Sequence, residues 1–467
     1  MDATTQVLPP IVQIADFLCD PVEPAHFPAH ILRWRNDRAA ATIGLETLDN
    51  PCWVKHFGRF APLPANLPHP LALRYHGHQF GHYNPDLGDG RGFLFAQLRC
   101  DDGRWLDLGT KGSGQTPYSR SGDGRLTLKG AVRELLATEM LEALGVPTSR
   151  TFSIIETGET LHRGDEPSPA RGAVLVRLNH GHIRIGSFQR LAALGQASEM
   201  ERLLRYCLST LFEVPNVDML PAADAAAMLV RITATKCAET VAAQMVAGFV
   251  HGVLNSDNIN ITGESFDYGP WRFTPTWDPA FTAAYFDHQS LYAFGRQAQI
   301  VYWNVGQLAI SLRSIAPTEP LTEALETFAP AYEKAIAAQF CWRLGVSPSE
   351  PERDRALVTA AERFLQSSAM PIDRYFQGGA RDDPAFAEAM AGRTSSHDHW
   401  WHHVEPQSMQ IDEVETLWDA IASRDDWQPL MAKVCAVREM GSAMAASHSI
   451  PPIAIAGHRV NRAFDER

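Results

Sequence analysis

The chain has 467 residues, of which 45% are hydrophobic and 20% charged, a composition typical of a globular protein with roughly two to four domains. Its 41 basic and 54 acidic residues give a net charge of −13. This charge disfavours a nucleic acid or an anionic membrane as partner, because their phosphates would be repelled. We find no apolar run near the roughly 20 residues of a membrane helix and no secretory signal pattern. Seven scattered cysteines without a CxxC spacing predict reduced thiols and a cytoplasmic location.

The first 180 residues predict a small lobe that mixes strands with one helix. Residues 1–60 are rich in proline and aromatic residues and show no clear hydrophobic period, so they predict an irregular wrapping segment. In chain order, the pattern predicts a β-hairpin at residues 93–98 and 105–109, an amphipathic helix at 129–144, and strands at 151–156 and 172–178. Gly145 and Pro147 end the predicted helix, since both residue types are common just past a helix.

The remaining residues predict a mainly helical lobe followed by a helical C-terminal extension. Helical periodicity recurs at residues 189–211, 222–248, 292–312 and 321–344. The predicted fold class is therefore α+β, with domains at residues 1–180 and 181–467.

Two loops of the first lobe have the composition of a phosphate-binding site. Gly88, Gly90 and Arg91 precede a predicted strand. Glycines let backbone N–H groups approach an anion, and arginine adds a charged fork. A tight glycine-rich turn is the alternative. Asp123 and Gly124 lie in a polar, basic loop before the helix, where they either contact a nucleotide or serve as a turn and helix cap.

Four further charged residues are candidates for the same site. Lys111 ends a predicted strand, and Glu134 lies in the amphipathic helix. In protein kinases such a glutamate holds the lysine on a phosphate, whereas a surface lysine and a solvated glutamate are the alternative. Arg177 and Arg184 fall where a kinase has its apolar adenine slot. If both point into the cleft, they indicate phosphates there, because a buried guanidinium without an anion is costly. A solvent-facing pair is the other interpretation.

The strongest local signal is a pair of motifs in the second lobe. The segment His251-Gly-Val-Leu-Asn-Ser-Asp257-Asn258 follows a long apolar helix, and Asp267-Tyr-Gly-Pro270 comes shortly after it. Asn258 and Asp267 offer the oxygen ligands that Mg²⁺ prefers, and Asp257 is free to take a proton from an attacking hydroxyl. With Lys111 as the phosphate-pairing cation, these residues predict an ATP-using enzyme with a two-lobed, protein-kinase-like fold.

A histidine-rich run at residues 397–403 is a weaker candidate for a metal site. Imidazoles are good ligands for transition metals. Contiguous histidines rarely converge on one ion, however, and a surface helix or turn is the alternative. We assign the run no role.

Eight segments together match one known family, at residues 75–81, 87–91, 111–120, 122–125, 251–258, 267–270, 296–297 and 303–304. As a set they are specific, and they extend over roughly residues 70–310. On these motifs the chain resembles the selenoprotein O family (SelO, also YdiU), protein adenylyltransferases with a pseudokinase-like fold.

The resemblance implies that ATP binds in a reversed orientation, so that AMP is transferred to Ser, Thr or Tyr hydroxyls of acceptor proteins and pyrophosphate leaves. It implies that Asp257 accepts the proton, that Asn258 and Asp267 bind Mg²⁺ or Mn²⁺, and that Glu134 supports Lys111. Use of UTP by related members extends the expectation to uridylyl transfer. The nucleotide contacts that it implies are Gly88, Gly90, Arg91, Lys111, Asp123, Gly124, Arg177 and Arg184.

Departures from the expected patterns leave other functions open at this point. Val253 stands where a kinase loop has an aspartate directly after His-Gly, which motivates a catalytically silent, nucleotide-binding pseudokinase as one alternative. A kinase-like phosphotransferase acting on a small hydroxyl compound is another. Members of the family often carry a cysteine or selenocysteine near the C-terminus, whereas the last cysteine here is Cys435, so a terminal redox switch is not expected.

Overall fold

The computed structural model describes residues 8–164, 166–379, 383–393 and 403–446. It contains about 47% helix and 15% strand, with a sheet-containing N-terminal region and a helical C-terminal part, which confirms the α+β class. Apart from residue 403, the histidine-rich run lies outside the described residues, and so does everything after residue 446. The domain boundary at residue 180 stays a prediction.

One antiparallel sheet organises the N-terminal region. Its strands follow the order β1-β3-β6-β7-β10-β9-β2, and β8 pairs with β10. The predicted hairpin is confirmed as β6 and β7, joined by pairs such as Gln97 with Asp107. The strands are β1 Cys19–Pro21, β2 Ile31–Arg35, β3 Leu71–Leu73, β4 Gly77–Gln79, β5 His82–Asn84, β6 Leu94–Arg99, β7 Trp105–Lys111, β8 Leu126–Thr127, β9 Arg150–Leu161, β10 Ala170–Asn179, β11 Phe249–Val250 and β12 Arg272–Phe273.

The prediction of an irregular segment over residues 1–60 is wrong. β1 and β2 form the two ends of the sheet, and the helices α1, α2 and α3 lie in the same stretch. The residues of β1 and β2 do not alternate regularly between buried and exposed positions. A period of two cannot be recognised in strands of three and five residues.

The described residues also form α-helices, most of them after β10. They are α1 Ala15–Leu18, α2 Asp37–Ala41, α3 Asn50–Phe57, α4 Leu128–Ala143, α5 Ile185–Ala193, α6 Ala197–Tyr206, α7 Ala222–Ala247, α8 Gln297–Leu312, α9 Thr318–Leu325, α10 Phe328–Leu344, α11 Pro351–Ser368, α12 Ile372–Arg374, α13 Pro384–Met390, α14 Ile411–Arg424 and α15 Gln428–Ala446. The helix predicted at 129–144 is confirmed as α4. In the described part of the chain, no helix has the length and apolar character that crossing a bilayer requires.

Two of the predicted helices are each divided in the structure. Residues 189–211 contain the end of α5 and all of α6, separated at Gly195. Its φ of 66° is easily reached only without a side chain. Residues 321–344 contain the end of α9 and all of α10, with a turn at Glu326 and Thr327 between them. Hydrophobic periodicity continues across such short turns, so it does not reveal them.

α4 is the central helix of the N-terminal region. Its apolar residues, such as Leu135 and Met140, belong to one buried cluster with Ile154 and Leu175 of the sheet. α14 and α15 pack on the same helix, and α15 contributes Val437 to this cluster. The C-terminal helices therefore help to fix the position of α4, and with it the polar side chains that α4 presents to the sheet.

Short strands and side-chain anchors hold the loop at residues 251–271. It begins after β11 and ends at β12, and these two strands pair. Gln297 accepts a hydrogen bond from the backbone N–H of His251 (3.1 Å), and Asn304 donates to the carbonyl of Leu254 (2.8 Å). Both anchoring side chains come from α8, so this helix supports the loop that carries the candidate catalytic residues.

Candidate active site

Eleven of the twelve site residues predicted from the sequence line one cavity of about 720 Å³. Glu134, the twelfth, lies directly behind Lys111. The loops before β6 and before α4, the ends of β7 and β10, and the loop at residues 251–271 form its walls. The eleven residues are Gly88, Gly90, Arg91, Lys111, Asp123, Gly124, Arg177, Arg184, Asp257, Asn258 and Asp267.

Lys111 and Glu134 form a buried ion pair. Lys111 is the last residue of β7, and its Nζ lies 2.5 Å from Glu134 Oε2 on α4. Burial lowers the pKa of Lys111, while the carboxylates of Glu134 and Asp267 oppose this shift. The alternative of a surface lysine and a solvated glutamate is therefore wrong, because both side chains are buried and paired. Glu134 holds the ammonium group of Lys111 at the cavity wall.

Asp267 lies between two buried arginines. Arg184 Nη1 lies 2.6 Å from Asp267 Oδ2, and Arg177 pairs with the other carboxylate oxygen. Burial alone would raise the pKa of Asp267, but Arg177, Arg184 and Lys111 hold it well below its usual range. Both guanidinium groups also lie against the ring of Phe266. The arginines therefore face the cavity and not the solvent.

Asp257 has the environment of a proton acceptor. Its Oδ1 is buried and has no hydrogen-bond partner among the described residues, and Oδ2 lies 3.4 Å from Gln79 Nε2. Burial raises its pKa to about 6, with Asp267 adding to the shift and Arg184 opposing it. A carboxylate of this kind is ionised at neutral pH and binds a proton more strongly than an exposed aspartate.

The donor atoms near Asp257 fit a hard divalent cation. Asn258 donates its amide N–H to the carbonyl of Val253 (2.9 Å), so the amide oxygen is available as an acceptor, and Asp267 supplies carboxylate oxygens on the same cavity. Within the described ranges, no group of three His, Cys, Asp or Glu side chains could hold an ion. A cation here would depend on oxygen ligands from a bound polyphosphate, as Mg²⁺ commonly does.

The cavity has an excess of positive charge in a chain of net charge −13. Five acidic side chains line it, Asp86, Asp89, Asp123, Asp257 and Asp267. Seven basic side chains line it, Arg91, Lys111, Arg120, Arg125, Arg163, Arg177 and Arg184. Since positive potential concentrated in a cleft attracts anions, this arrangement suits a triphosphate.

Strand β4 lies against the loop of Asp257, although its residue types indicate no role there. The backbone N–H of His78 donates to Ser256 Oγ (2.7 Å), and Ser256 in turn donates to Gln189 Oε1 (2.5 Å). Gln79, next to His78, approaches Asp257 directly. Residues 75–81 matched the family motif, which was the available signal, but nothing in the sequence indicated their contact with Asp257. Asp89, which contacts Arg184, was missed as well.

If Asp257 acts as the proton acceptor, Gly77→Ala is expected to lower the kcat of the transfer reaction about tenfold. Small displacements of a catalytic group have effects of this order. A Cβ at Gly77 would lie 3.0 Å from Asp257 Oδ1 and 3.1 Å from its Cβ, so the carboxylate has to shift by a few tenths of an ångström. Steady-state kinetics measure the effect, with Gly164→Ala as control, since a Cβ at Gly164 meets no atom within 4 Å. Equal kcat values for the two variants would contradict the proposed contact.

Comparison with known proteins identifies the chain as a nucleotidyltransferase. A family model described as protein adenylyltransferase SelO matches residues 3–389, and the chain belongs to this family. A protein nucleotidyltransferase YdiU of Synechocystis sp. is 41% identical over 460 residues, which cover 90% of this chain and 95% of the relative. A protein of the same name from Synechococcus elongatus is 39% identical over 487 residues, with 95% and 97% covered. The family resemblance is therefore confirmed.

Proposed function

We propose that this member of the adenylyltransferase family binds ATP with Mg²⁺ or Mn²⁺ in the described cavity and transfers AMP to Ser, Thr or Tyr hydroxyls of proteins. We place the cavity between the lobes of a kinase-like fold, with domains at residues 1–180 and 181–467. Family membership supports AMP transfer to proteins, and it disfavours both the phosphotransferase and the catalytically silent alternatives. The observation that carries the proposal is the convergence of Lys111, Arg177 and Arg184 on the cavity that contains Asp257 and Asp267.

In the proposed reaction, Asp257 accepts the proton of the acceptor hydroxyl. The hydroxyl oxygen then forms a bond to the α-phosphorus of ATP, the bond between this phosphorus and the bridging oxygen breaks, and pyrophosphate leaves. Arg177, Arg184 and Lys111 stabilise the negative charge on the phosphate oxygens from fixed positions, which is where preorganised cations act best. A divalent cation held by Asn258 and Asp267 would add further charge neutralisation.

The same residues support the reversed orientation of the nucleotide. Arg177 and Arg184 are buried on the cavity wall, and the kinase-like fold that we propose would place them at the apolar adenine slot of a kinase. A bound triphosphate tail would supply anionic oxygens to these two guanidinium groups. Asp267 lies between them and pairs with both on the cavity wall. We further propose a cytoplasmic location without a nucleic-acid or membrane partner, which the net charge of −13 supports.

The position of an isotope label in ATP tests this function. With acceptor protein and Mg²⁺, we expect label from [α-³²P]ATP to become covalently attached to protein and label from [γ-³²P]ATP to leave as pyrophosphate. [α-³²P]UTP in the same assay measures uridylyl transfer. Transfer of the γ-label would instead establish a phosphotransferase. Absence of protein labelling from every nucleotide, with ATP still bound, would favour a silent scaffold.

A further inference from the structure

A second cavity, of about 660 Å³, opens on the outer side of the loop that carries Asp257. We call it the α8 groove. It is defined by His78, Tyr292, Arg296, Trp303, Gly306 and Ile310. None of these residues takes part in the nucleotide chemistry proposed above.

The two faces of α8 differ in what they contact. Gln297 and Asn304 on the inner face are buried and anchor the loop at residues 251–271. Trp303 and Ile310 on the outer face are 39% and 56% exposed. Positions 303 and 310 are seven residues apart and so lie on one stripe of the helix. The inner face is explained by the support of the loop, whereas the exposed apolar side chains on the outer face have no such explanation.

Gly306 keeps the groove open between these two side chains. A glycine inside a helix costs about 1 kcal/mol relative to alanine, so its presence calls for a reason. Packing does not supply one, because a Cβ at Gly306 would meet only Leu325 Cδ2, at an ordinary distance of 3.7 Å. The missing side chain instead leaves a notch between Trp303 and Ile310.

Arg296 gives the α8 groove a positive charge. Arg296 is exposed, and its guanidinium donates to the carbonyl of Ser290 (3.2 Å), so among the described residues no carboxylate neutralises it. Burial lowers the pKa of His78, which leaves this imidazole mainly uncharged at neutral pH. The groove therefore combines an apolar notch with one positive charge.

Strand β4 connects the groove to the active site. Successive side chains of a strand point to opposite faces. Gln79 lines the nucleotide cavity and approaches Asp257 (3.4 Å), whereas His78 lines the groove and packs edge-on against Trp303, with 5.2 Å between ring centroids. A polypeptide that places a hydroxyl beside Asp257 thus has the α8 groove within reach of its neighbouring residues.

We propose that the α8 groove binds the acceptor protein, through a segment that places an apolar or aromatic side chain in the notch between Trp303 and Ile310 and an acidic side chain beside Arg296. The proposal rests on the proposed function, since it assumes that proteins are the acceptors. The groove selects the acceptor sequence, while the nucleotide cavity performs the chemistry.

A positional peptide library with a fixed Ser, Thr or Tyr and [α-³²P]ATP tests the proposal. The wild-type protein is expected to prefer an apolar residue and an acidic residue at defined distances from the hydroxyl. For the best peptide, Trp303→Ala and Gly306→Leu should each raise KM at least tenfold, with kcat within twofold of wild type. Arg296→Glu should replace the acidic preference by a basic one, which a merely structural effect would not produce.

Met219→Ala is the matched control, because Met219 is an exposed apolar side chain (83%) outside the groove. Unchanged KM and unchanged sequence preference in all three groove variants, with peptides still labelled, would overturn the groove proposal and leave the function intact. Absence of α-label on any peptide or protein would overturn the proposed function and the groove proposal with it. A wild-type dimer that Trp303→Ala dissociates in sedimentation velocity would assign the groove to a second copy and also overturn the proposal.

Discussion

Asp257→Asn is expected to lower the rate of AMP transfer strongly and, at the same time, to make the folded protein more stable. Loss of a general base lowers rates by about 10²–10⁴-fold. Burial disfavours the negative charge of Asp257 and so raises the pKa of this carboxyl group to about 6. The asparagine side chain carries no charge, so the substitution removes this unfavourable contribution. Initial rates and urea unfolding at pH 7.5 measure the two effects. Asp218→Asn, at an exposed aspartate, is the control and should change neither.

The pH dependence of this stability gain follows from the direction of the pKa shift. The folded protein has the higher pKa, so the charge penalty is absent below the ordinary value of 3.8, grows up to about pH 6 and is complete above it. Asp257→Asn should therefore gain about 2–3 kcal/mol above pH 6 and nearly nothing around pH 4. The wild-type rate should fall below about pH 6 as the base becomes protonated. A gain that is equal at all pH values would show that ionisation of Asp257 is not its cause.

The parts that the sequence predicted correctly are those with a local signal. α4 carries apolar residues at helical spacing over 16 residues, and β6 and β7 flank a short turn. Lys111, Asp257 and Asp267 were selected because their residue types and order match a nucleotide chemistry that depends on few side chains. The structure brings these three residues to one cavity, while their individual roles stay proposals.

The missed parts depend on contacts between distant segments. His78 and Ser256 are 178 positions apart, and neither residue type indicates the other as a partner. Arg177 and Arg184 left two interpretations open because sequence does not reveal burial, and the pairing of both with Asp267 resolves the question. The β1 and β2 strands were missed for a different reason, since they are too short to show a period.

Asp267→Ala is expected to impair both stability and activity, because Asp267 pairs with two buried guanidinium groups and is proposed to act in the reaction. Removing one partner of a buried ion pair costs about 3–5 kcal/mol, since the remaining charge is uncompensated. Asp267 is also a proposed metal ligand, and loss of a ligand that contributes several kcal/mol should lower the transfer rate by about 10³-fold. Asp123→Ala provides the contrast in stability, because its pair with Arg163 is half-exposed at the carboxylate (50%) and should contribute less than about 1 kcal/mol.

A second substitution tests the electrostatic cause of the stability loss in Asp267→Ala. Adding Arg177→Met removes one of the uncompensated cations, so the double variant should unfold at a higher urea concentration than Asp267→Ala alone. Its transfer rate should be no higher than that of the single variant, because the carboxylate is still missing and Arg177, a proposed phosphate contact, is removed as well. Recovered stability would show that the destabilisation of Asp267→Ala comes from the unbalanced arginine. A double variant no more stable than Asp267→Ala would contradict the electrostatic account of the Arg177–Asp267 pair.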